Sequence, residues 1–285
     1  MDERQLRVAG GQLWTVRQGH GPAVLLCHGG PGLWDYLAPV AAMIDDTATV
    51  YRYDQRGCGR SAGGPPWTMD QALDDVDALR RGWNVERWIV IGHSFGATLA
   101  LAYGLTFPQH VRGIGYIAGT GIDATWHAAY HQEARRRLTD DEYADLERRK
   151  QQYRQARGLE RYALFRAYAE RLWASDVADK HRASVLLADM LNSPWLPNED
   201  ANRALGQDAS RLMENVAMRD RLQTLLLPTW IVHGEADPRP IRNAQQLAEV
   251  LPKAQFVALA DCGHWPWAEQ PEAFRESIRQ FVSHT

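Results

Sequence analysis

The stretch Trp88-Ile89-Val90-Ile91-Gly92-His93-Ser94-Phe95-Gly96 decides the fold of this 285-residue chain. It begins with a continuous apolar run, which is typical of a strand buried on both faces of a parallel sheet. The residues after Ser94 turn helical at once, and Pro108 ends that helix. Glycines two residues before and after the serine allow a sharp strand-to-helix turn that presents its hydroxyl. Ser94 is therefore the candidate nucleophile, and a plain structural turn is the alternative.

Other segments repeat this alternation of strand and helix. Helical patterns run from Thr68 to Arg81, behind the capping-box sequence Thr68-Met69-Asp70-Gln71, and from Arg242 to Leu251. Further strands are predicted at Ala23–Cys27, Ala48–Tyr53, Val111–Ala118, Thr229–His233 and Gln255–Ala260, with an antiparallel hairpin over Leu6–Gly19. The chain therefore predicts an α/β fold, in which helices cover both faces of a mostly parallel twisted sheet.

One block departs from this rhythm. From about residue 122 to residue 218 there is no strand-like run, while helix formers and arginines abound. A second capping box, Thr139-Asp140-Asp141-Glu142, predicts a helix that extends toward Arg157. We interpret 122–218 as a helical cap inserted into a core formed by 1–121 and 219–285.

Charge, apolar runs and cysteine content indicate which compartment and which kinds of partner to expect. The net charge of −3 provides no basic surface for nucleic acid or for anionic lipid. From the segment Met1–Arg4 we expect no signal peptide, and no apolar run is long enough to span a bilayer. Three widely separated cysteines fit reduced thiols. We expect a cytoplasmic protein with a small-molecule or short-peptide substrate; the sequence is silent on the oligomeric state.

A serine nucleophile needs a base that a third group orients. His264 follows the last predicted strand, and Asp237 follows the strand before it. Binding groups of open α/β sheets gather at this carboxyl edge of the strands. The order serine, aspartate, histidine along the chain is the one expected of an α/β fold whose serine lies on a strand-to-helix turn. His264 is the candidate base and Asp237 the candidate acid, with Glu235 as the rival acid.

A glycine cluster, His28-Gly29-Gly30-Pro31-Gly32, follows another buried strand. Its glycines let the backbone approach a ligand closely, so Gly29 is expected to lie beside the substrate. We assign the amides of Gly30 and Phe95 as donors to an oxyanion that forms on the substrate carbonyl. His28 is expected to hold this loop in place.

The run Asp54-Gln55-Arg56-Gly57-Cys58-Gly59-Arg60-Ser61 makes a resemblance specific. Together with His28–Gly32, it resembles the signature of the proline iminopeptidase family of α/β-hydrolases. The resemblance implies an α/β-hydrolase fold and an aminopeptidase or amidase that forms an acyl-enzyme. It also implies that Asp54 and Arg56 are scaffolding. For acyl transfer through Ser94, His264 and Asp237, we expect no metal or organic cofactor.

Two departures from the family pattern leave more than one class of substrate possible. His93 and Phe95 stand where the family usually has glycine and tryptophan, a pattern shared with esterases of the same fold. The resemblance further implies cap glutamates, one beside a tryptophan, that bind the substrate's amino terminus. Trp173 is the candidate tryptophan, and the candidate carboxylates are Glu133, Asp176, Glu199 and Glu214. A carboxylesterase, lactonase or thioesterase is the alternative, and a non-catalytic binding protein is a more remote one.

Other residues of the predicted cap have competing interpretations. His127 and His131 are four residues apart on a predicted helix, but no H-E-x-x-H pattern accompanies them, so a metal site is not expected. Aromatic side chains are numerous, and we expect some of them to line an apolar pocket: Trp126, Tyr130, Phe165, Tyr168, Trp173 and Trp195.

Overall fold

The computed structural model describes residues 1–122 and 125–285. Its strands form one sheet in the order β1-β2-β4-β3-β6-β7-β8-β9, with β5 paired to β2. The strands are β1 Asp2–Val8, β2 Gly11–Gly19, β3 Ala23–Cys27, β4 Thr49–Tyr53, β5 Ala62–Gly63, β6 Trp88–His93, β7 Val111–Ile117, β8 Thr229–Gly234 and β9 Ala254–Leu259. All neighbours from β4 to β9 are parallel, whereas β1, β2 and β5 add antiparallel pairs.

The helices lie between and beyond these strands. They are α1 Ala38–Ala42, α2 Met69–Gly82, α3 Phe95–Thr106, α4 Trp126–Arg136, α5 Asp140–Gln155, α6 Glu160–Ala174, α7 Ala183–Leu186, α8 Ala188–Leu191, α9 Glu199–Glu214, α10 Val216–Gln223, α11 Ile241–Val250, α12 Pro266–Glu269 and α13 Pro271–Ser283. The capping box predicted at Thr139 is complete. At Thr68 only half of it forms: the Thr68 side chain accepts from the Gln71 amide, while the Gln71 side chain donates to Asp75. Within the described ranges, no helix combines the length and the apolar character that a membrane crossing needs.

Alternating side chains of the strands build one hydrophobic core on each face of the sheet. In β3, Leu25 and Cys27 join the core that includes α2, α3 and α11. Val24 and Leu26 point to the opposite core, which includes α1 and α13. Burial on both faces explains why β3 is apolar without a break. The predicted α/β fold is confirmed.

The connection between β3 and β6 creates the place for a site. From β3 the chain passes to β4 on one side and then returns to place β6 on the other side. The carboxyl ends of β3 and β6 are thus adjacent, and Cys27 pairs with Gly92. Ligands of open α/β sheets bind at such a reversal of strand order. The loop His28–Gly32 and the turn at Ser94 meet there.

The helical block from α4 to α10 lies on the loops at this edge. The Asn198 amide donates to the Gly32 carbonyl over 2.8 Å. Arg137 Nη2 donates to the carbonyl of Ala236 over 2.6 Å. The amide of His264 donates to the carbonyl of Asp176 over 2.7 Å. The block therefore contacts the loops that follow β3, β8 and β9.

Candidate active site

The turn at Ser94 depends on its glycine neighbours. Ser94 has φ 57° and ψ −121°, a backbone conformation that L-residues rarely adopt. A Cβ on Gly92 would lie 1.8 Å from the carbonyl oxygen of Gly96, and a Cβ on Gly96 would lie 2.1 Å from that of Cys27. Any larger residue at either position would push the turn apart. The two glycines therefore allow β6 to pass into α3 with the serine at the bend.

His264 and Asp237 form a buried hydrogen-bonded pair. His264 Nδ1 lies 2.6 Å from Asp237 Oδ2, while the rival acid Glu235 is exposed. Because the ionised carboxylate only accepts, Nδ1 carries the ring proton and Nε2 is left to accept one. Burial opposes ionisation of Asp237, but the charges of His264 and Arg239 outweigh it and hold its pKa below the ordinary range.

Arg239 is part of this charged cluster, although the sequence analysis did not single it out. Its Nη1 lies 3.2 Å from Asp237 Oδ1 and 3.1 Å from Asp176 Oδ1. Its guanidinium also lies over the ring of Tyr130, 4.4 Å from the centroid. Burial acts against its charge, yet the two carboxylates raise the pKa of Arg239. Together, Asp176, Asp237 and Arg239 carry a single excess negative charge.

A chain of hydrogen bonds connects the glycine loop to the loop that carries His264. The Gly29 amide donates to the Tyr36 oxygen over 2.7 Å, and that oxygen lies 2.7 Å from His93 Nδ1. His93 Nε2 lies 2.8 Å from the carbonyl oxygen of His264. A carbonyl only accepts, so Nε2 is protonated and the Tyr36 hydroxyl donates to Nδ1.

His93 is the centre of this chain. Burial, together with the charge of His264, lowers the pKa of His93 well below its ordinary value, so the ring stays neutral at pH 7. The centroids of the His93 and His264 rings are 4.6 Å apart. The residue before Ser94, which the sequence analysis treated only as a departure from a family pattern, therefore contacts the candidate base.

The glycine loop also packs against the turn. A Cβ on Gly29 would lie 2.8 Å from the Cβ of Ser94. Gly30 and Phe95 line one cavity with Ser94. Among the described residues, the amides of Gly30 and Phe95 meet no hydrogen-bond acceptor. Both N–H groups are thus available to an oxygen bound beside Ser94.

Residues of the second motif, Asp54–Ser61, support this loop. Asp54 is fully buried and accepts hydrogen bonds from the amides of Asp35 and Arg60, over 2.6 and 2.7 Å. The ring of His28 accepts a hydrogen bond from the Gln55 amide over 3.0 Å. These contacts fit the scaffolding role expected of Asp54 and the loop-holding role expected of His28.

Glu269 secures the loop around His264. Its Oε1 accepts from the Trp265 amide over 3.0 Å, and its Oε2 accepts from the Gly263 amide over 2.9 Å. The same Oε2 accepts from the Ala178 amide over 2.7 Å, and this bond connects Glu269 to the helical block. Burial raises the pKa of Glu269 despite these three donors. Both neighbours of the candidate base are thereby held by one side chain.

The cavity beside Ser94 has a volume of about 210 Å³. This is below the roughly 300–1,000 Å³ of pockets for drug-sized ligands, so a small substrate group fits. Its lining comes from the core and from two helices of the block: Gly30, Pro31, Ser94, Phe95, Thr98, Thr120, Gly121, Trp126, His127, Asn202, Gly206, Ala209, Ser210, Met213 and Arg239.

Three side chains that the sequence analysis proposed for substrate binding lie elsewhere. Trp173 is buried against Phe165 and Trp265. Glu133 pairs with Arg136 and Arg137, and its hydrogen bond to Arg136 is the largest influence that lowers its pKa to about 2. Glu214 is exposed. None of these three is among the described residues that line the cavity.

His127 contributes to the cavity wall through contacts with Trp126 and Ser210. Its ring stacks on that of Trp126, with centroids 3.7 Å apart, and its Nε2 lies 3.5 Å from the Ser210 hydroxyl. In the ranges 1–122 and 125–285, no group of three His, Cys, Asp or Glu side chains is arranged to hold a metal ion. The contact instead joins α4 to α9 at the cavity.

Comparisons with known proteins place the chain in a broad group. The model of a family described as alpha/beta hydrolase fold matches residues 22–271. The proline iminopeptidase of Heyndrickxia coagulans is 25% identical over 93% of this chain and 92% of that protein. The proline iminopeptidase of Xylella fastidiosa strain 9a5c is 27% identical over 86% and 84%. The solved meta-cleavage product hydrolase of Pseudomonas fluorescens IP01 superposes with a TM-score of 0.75 at 20% identity, over 99% and 97%.

Proposed function

This chain belongs to the alpha/beta hydrolase fold family, and from that premise we propose that it is a serine hydrolase that forms an acyl-enzyme on Ser94. The observation that supports the proposal most strongly is the position of an oriented histidine base beside the serine turn. The 2.6 Å hydrogen bond between His264 and Asp237 lies beside a strained serine turn, and His93 connects the two loops. A base oriented by a carboxylate is what a serine needs in order to attack a carbonyl.

In the proposed reaction, Ser94 Oγ bonds to the substrate carbonyl carbon while His264 Nε2 accepts the serine proton. Asp237 stabilises the resulting imidazolium. The amides of Gly30 and Phe95 donate to the oxyanion, and each donor of this type contributes on the order of 10²–10³ to turnover. His264 then gives its proton to the leaving group as the tetrahedral intermediate collapses. Water repeats the sequence, which releases the acid and restores Ser94.

The proposed substrate is a peptide or amide with a free N-terminal residue, with proline as the first candidate. The two proline iminopeptidases that match most of the chain support this choice. The charges at the site support it as well. Asp176 and Asp237 share Arg239, and the excess negative charge favours a protonated amine nearby.

An ester, lactone or thioester is the second candidate. Neutral side chains dominate the described lining of the cavity, with Trp126 and Met213 supplying apolar surface and Asn202 and Ser210 supplying uncharged polar groups. Such a lining suits an acyl group without a charge.

Three kinds of chromogenic substrate separate these candidates. Proline 4-nitroanilide tests for an aminopeptidase, its N-acetyl derivative tests the need for a free amine, and 4-nitrophenyl acetate tests for an esterase. We expect cleavage of the free-amine anilide to exceed that of the acetylated one. Ser94→Ala abolishes every activity of the site, while Ser283→Ala, an exposed serine on α13, retains them. Ester cleavage without any anilide cleavage at high enzyme concentration would contradict the aminopeptidase proposal.

A cytoplasmic location and a small-molecule or short-peptide partner complete the proposal. Cys27, Cys58 and Cys262 are all unpaired and buried, which suits a reducing compartment.

A further inference from the structure

Gly206 lies in the middle of α9, where helix propensity argues against it. Glycine is less favourable in a helix interior than every other residue except proline, because it loses the most backbone freedom. Its φ lies outside the left-handed region, so its own backbone conformation does not require a glycine. Another feature of the molecule must account for this residue.

Packing accounts for other helical glycines but not for this one. A Cβ on Gly96 would lie 2.1 Å from the Cys27 carbonyl oxygen, and a Cβ on Gly104 would lie 2.5 Å from Ile114 Cδ1. Among the described residues, and apart from the adjoining backbone of α9 itself, no heavy atom lies within 4 Å of a Cβ built on Gly206. A side chain at this position would enter open space.

That open space borders the cavity that contains Ser94. Gly206 lines it together with residues 4 positions before and 3, 4 and 7 positions after it, namely Asn202, Ala209, Ser210 and Met213. Residues at this spacing share one face of a helix. Gly206 is thus at the centre of the face that α9 turns toward the candidate nucleophile.

We propose that Gly206 determines substrate specificity by leaving room for an uncharged part of the substrate next to the reacting carbonyl. The inference rests on the proposed function of Ser94. Trp126 and Met213 offer this group an apolar surface, and Asn202 and Ser210 offer it neutral hydrogen-bonding groups. The missing side chain of Gly206 sets how large the group is, and a residue that grows from this position competes with it for space.

Two fluorophosphonates that differ only in one substituent, methyl or benzyl, test whether Gly206 sets the size of the accepted group, because these reagents react with the serine itself. The variants are Gly206→Ala and Gly206→Leu, both good helix formers, and the control is Gln207→Leu on the exposed side of the same helix. We expect Gly206→Leu to react with the benzyl reagent at least about tenfold more slowly and with the methyl reagent within twofold of wild type. Gly206→Ala should melt about 2 °C higher than wild type, since it removes a helix-interior glycine.

The outcomes distinguish this inference from the function on which it rests. A wild-type Ser94 that reacts with neither reagent would contradict the proposed function, and the inference with it. Wild-type labelling combined with an unchanged benzyl-to-methyl ratio in Gly206→Leu would overturn the specificity role alone. Equal slowing of both reagents would overturn it too, because the substitution would then disturb the site as a whole. Gln207→Leu must keep the wild-type ratio.

Discussion

At the scale of single residues, Ser94 can occupy its strained turn because the glycines on either side have no side chain that would clash with the nearby backbone. A non-glycine residue in such a backbone conformation costs of the order of 1–3 kcal/mol, and the surrounding structure must offset it. The Ser94 amide contributes by donating to the Ile117 carbonyl over 2.9 Å. Gly92 and Gly96 contribute by having no Cβ where the backbone is too close for one. The serine is thus held in place before any substrate arrives.

Tyr36 is expected to act as a positioning residue through His93. Tyr36→Phe removes one oxygen that serves both the Gly29 amide and His93 Nδ1, and so breaks the connection between the loop His28–Gly32 and the loop of His264. We expect kcat to fall by about tenfold or more with little change in KM, since displacement of reacting groups affects the chemical step. Steady-state kinetics on whichever substrate is cleaved measures both constants.

The matched control for Tyr36 is Tyr103→Phe. Tyr103 is also fully buried, and its hydroxyl contacts Asp77 over 3.1 Å, away from the cavity. Both variants lose stability, because each removes the hydrogen bonds of a buried tyrosine hydroxyl. Only Tyr36→Phe should lower kcat. An equal loss of kcat in both variants would show that stability, rather than positioning, explains the effect.

At the scale of elements, the short helix α12 is tied to the candidate base through Glu269. Glu269→Gln keeps the shape of the side chain but replaces an acceptor oxygen with an NH₂ group that faces backbone donors. We expect kcat to fall as the loop around His264 loses its fixed position. Amide hydrogen exchange at Gly263 and Trp265 should become faster.

Glu272→Gln, at an exposed glutamate on α13, is the control for this prediction. It should leave both kcat and the exchange rates unchanged. Wild-type exchange at Gly263 and Trp265 in Glu269→Gln would count against a role for this carboxylate in holding the loop.

Local patterns predicted the strands well and the contacts between distant segments poorly. The buried strands are recognisable in the sequence as apolar runs. β3 therefore has the predicted bounds, and β6 continues past its apolar run, Trp88–Ile91, by two residues to His93. Thr139 caps α5 as its four-residue pattern predicts. The two-residue strand β5 has no such signal, because pairing with β2 rather than its own sequence creates it.

The same distinction explains which parts of the site the sequence revealed. Ser94, Asp237 and His264 each follow a recognisable strand, and motif spacing was enough to select them. Tyr36 and Glu269 act by contacts that span 57 residues to His93 and 91 residues to Ala178, and no local pattern encodes these. The orientation of the helices from α4 to α10 is likewise set by tertiary packing, which is why the proposed carboxylates Glu133 and Glu214 lie outside the described lining of the cavity.

At the scale of the whole molecule, three buried neutral histidines connect stability to pH. Burial lowers the pKa of His28, His93 and His233 in the folded state. Below pH 6.5, the ordinary pKa of histidine, the unfolded chain therefore binds more protons than the folded protein. Stability is complete above this range and is lost on acidification, by up to about 1.4 kcal/mol per pH unit for each histidine.

Urea denaturation at pH 7 and pH 5.5 measures this effect, and the midpoint should be lower at pH 5.5. His20→Gln is a suitable control, since His20 is exposed and meets water in both states. Its midpoint should shift between the two pH values as that of the wild type does. A midpoint that stays constant or rises on acidification would contradict this prediction.

The central claim is that Ser94 attacks the substrate, and covalent labelling tests it most directly. The full chain is treated with a small fluorophosphonate, and the site of the adduct is located by mass spectrometry of its peptides. The account predicts a single adduct on Ser94 that is absent from Ser94→Ala, which also loses all hydrolysis of the site's substrate. An adduct on another residue, or undiminished hydrolysis by Ser94→Ala, would contradict it.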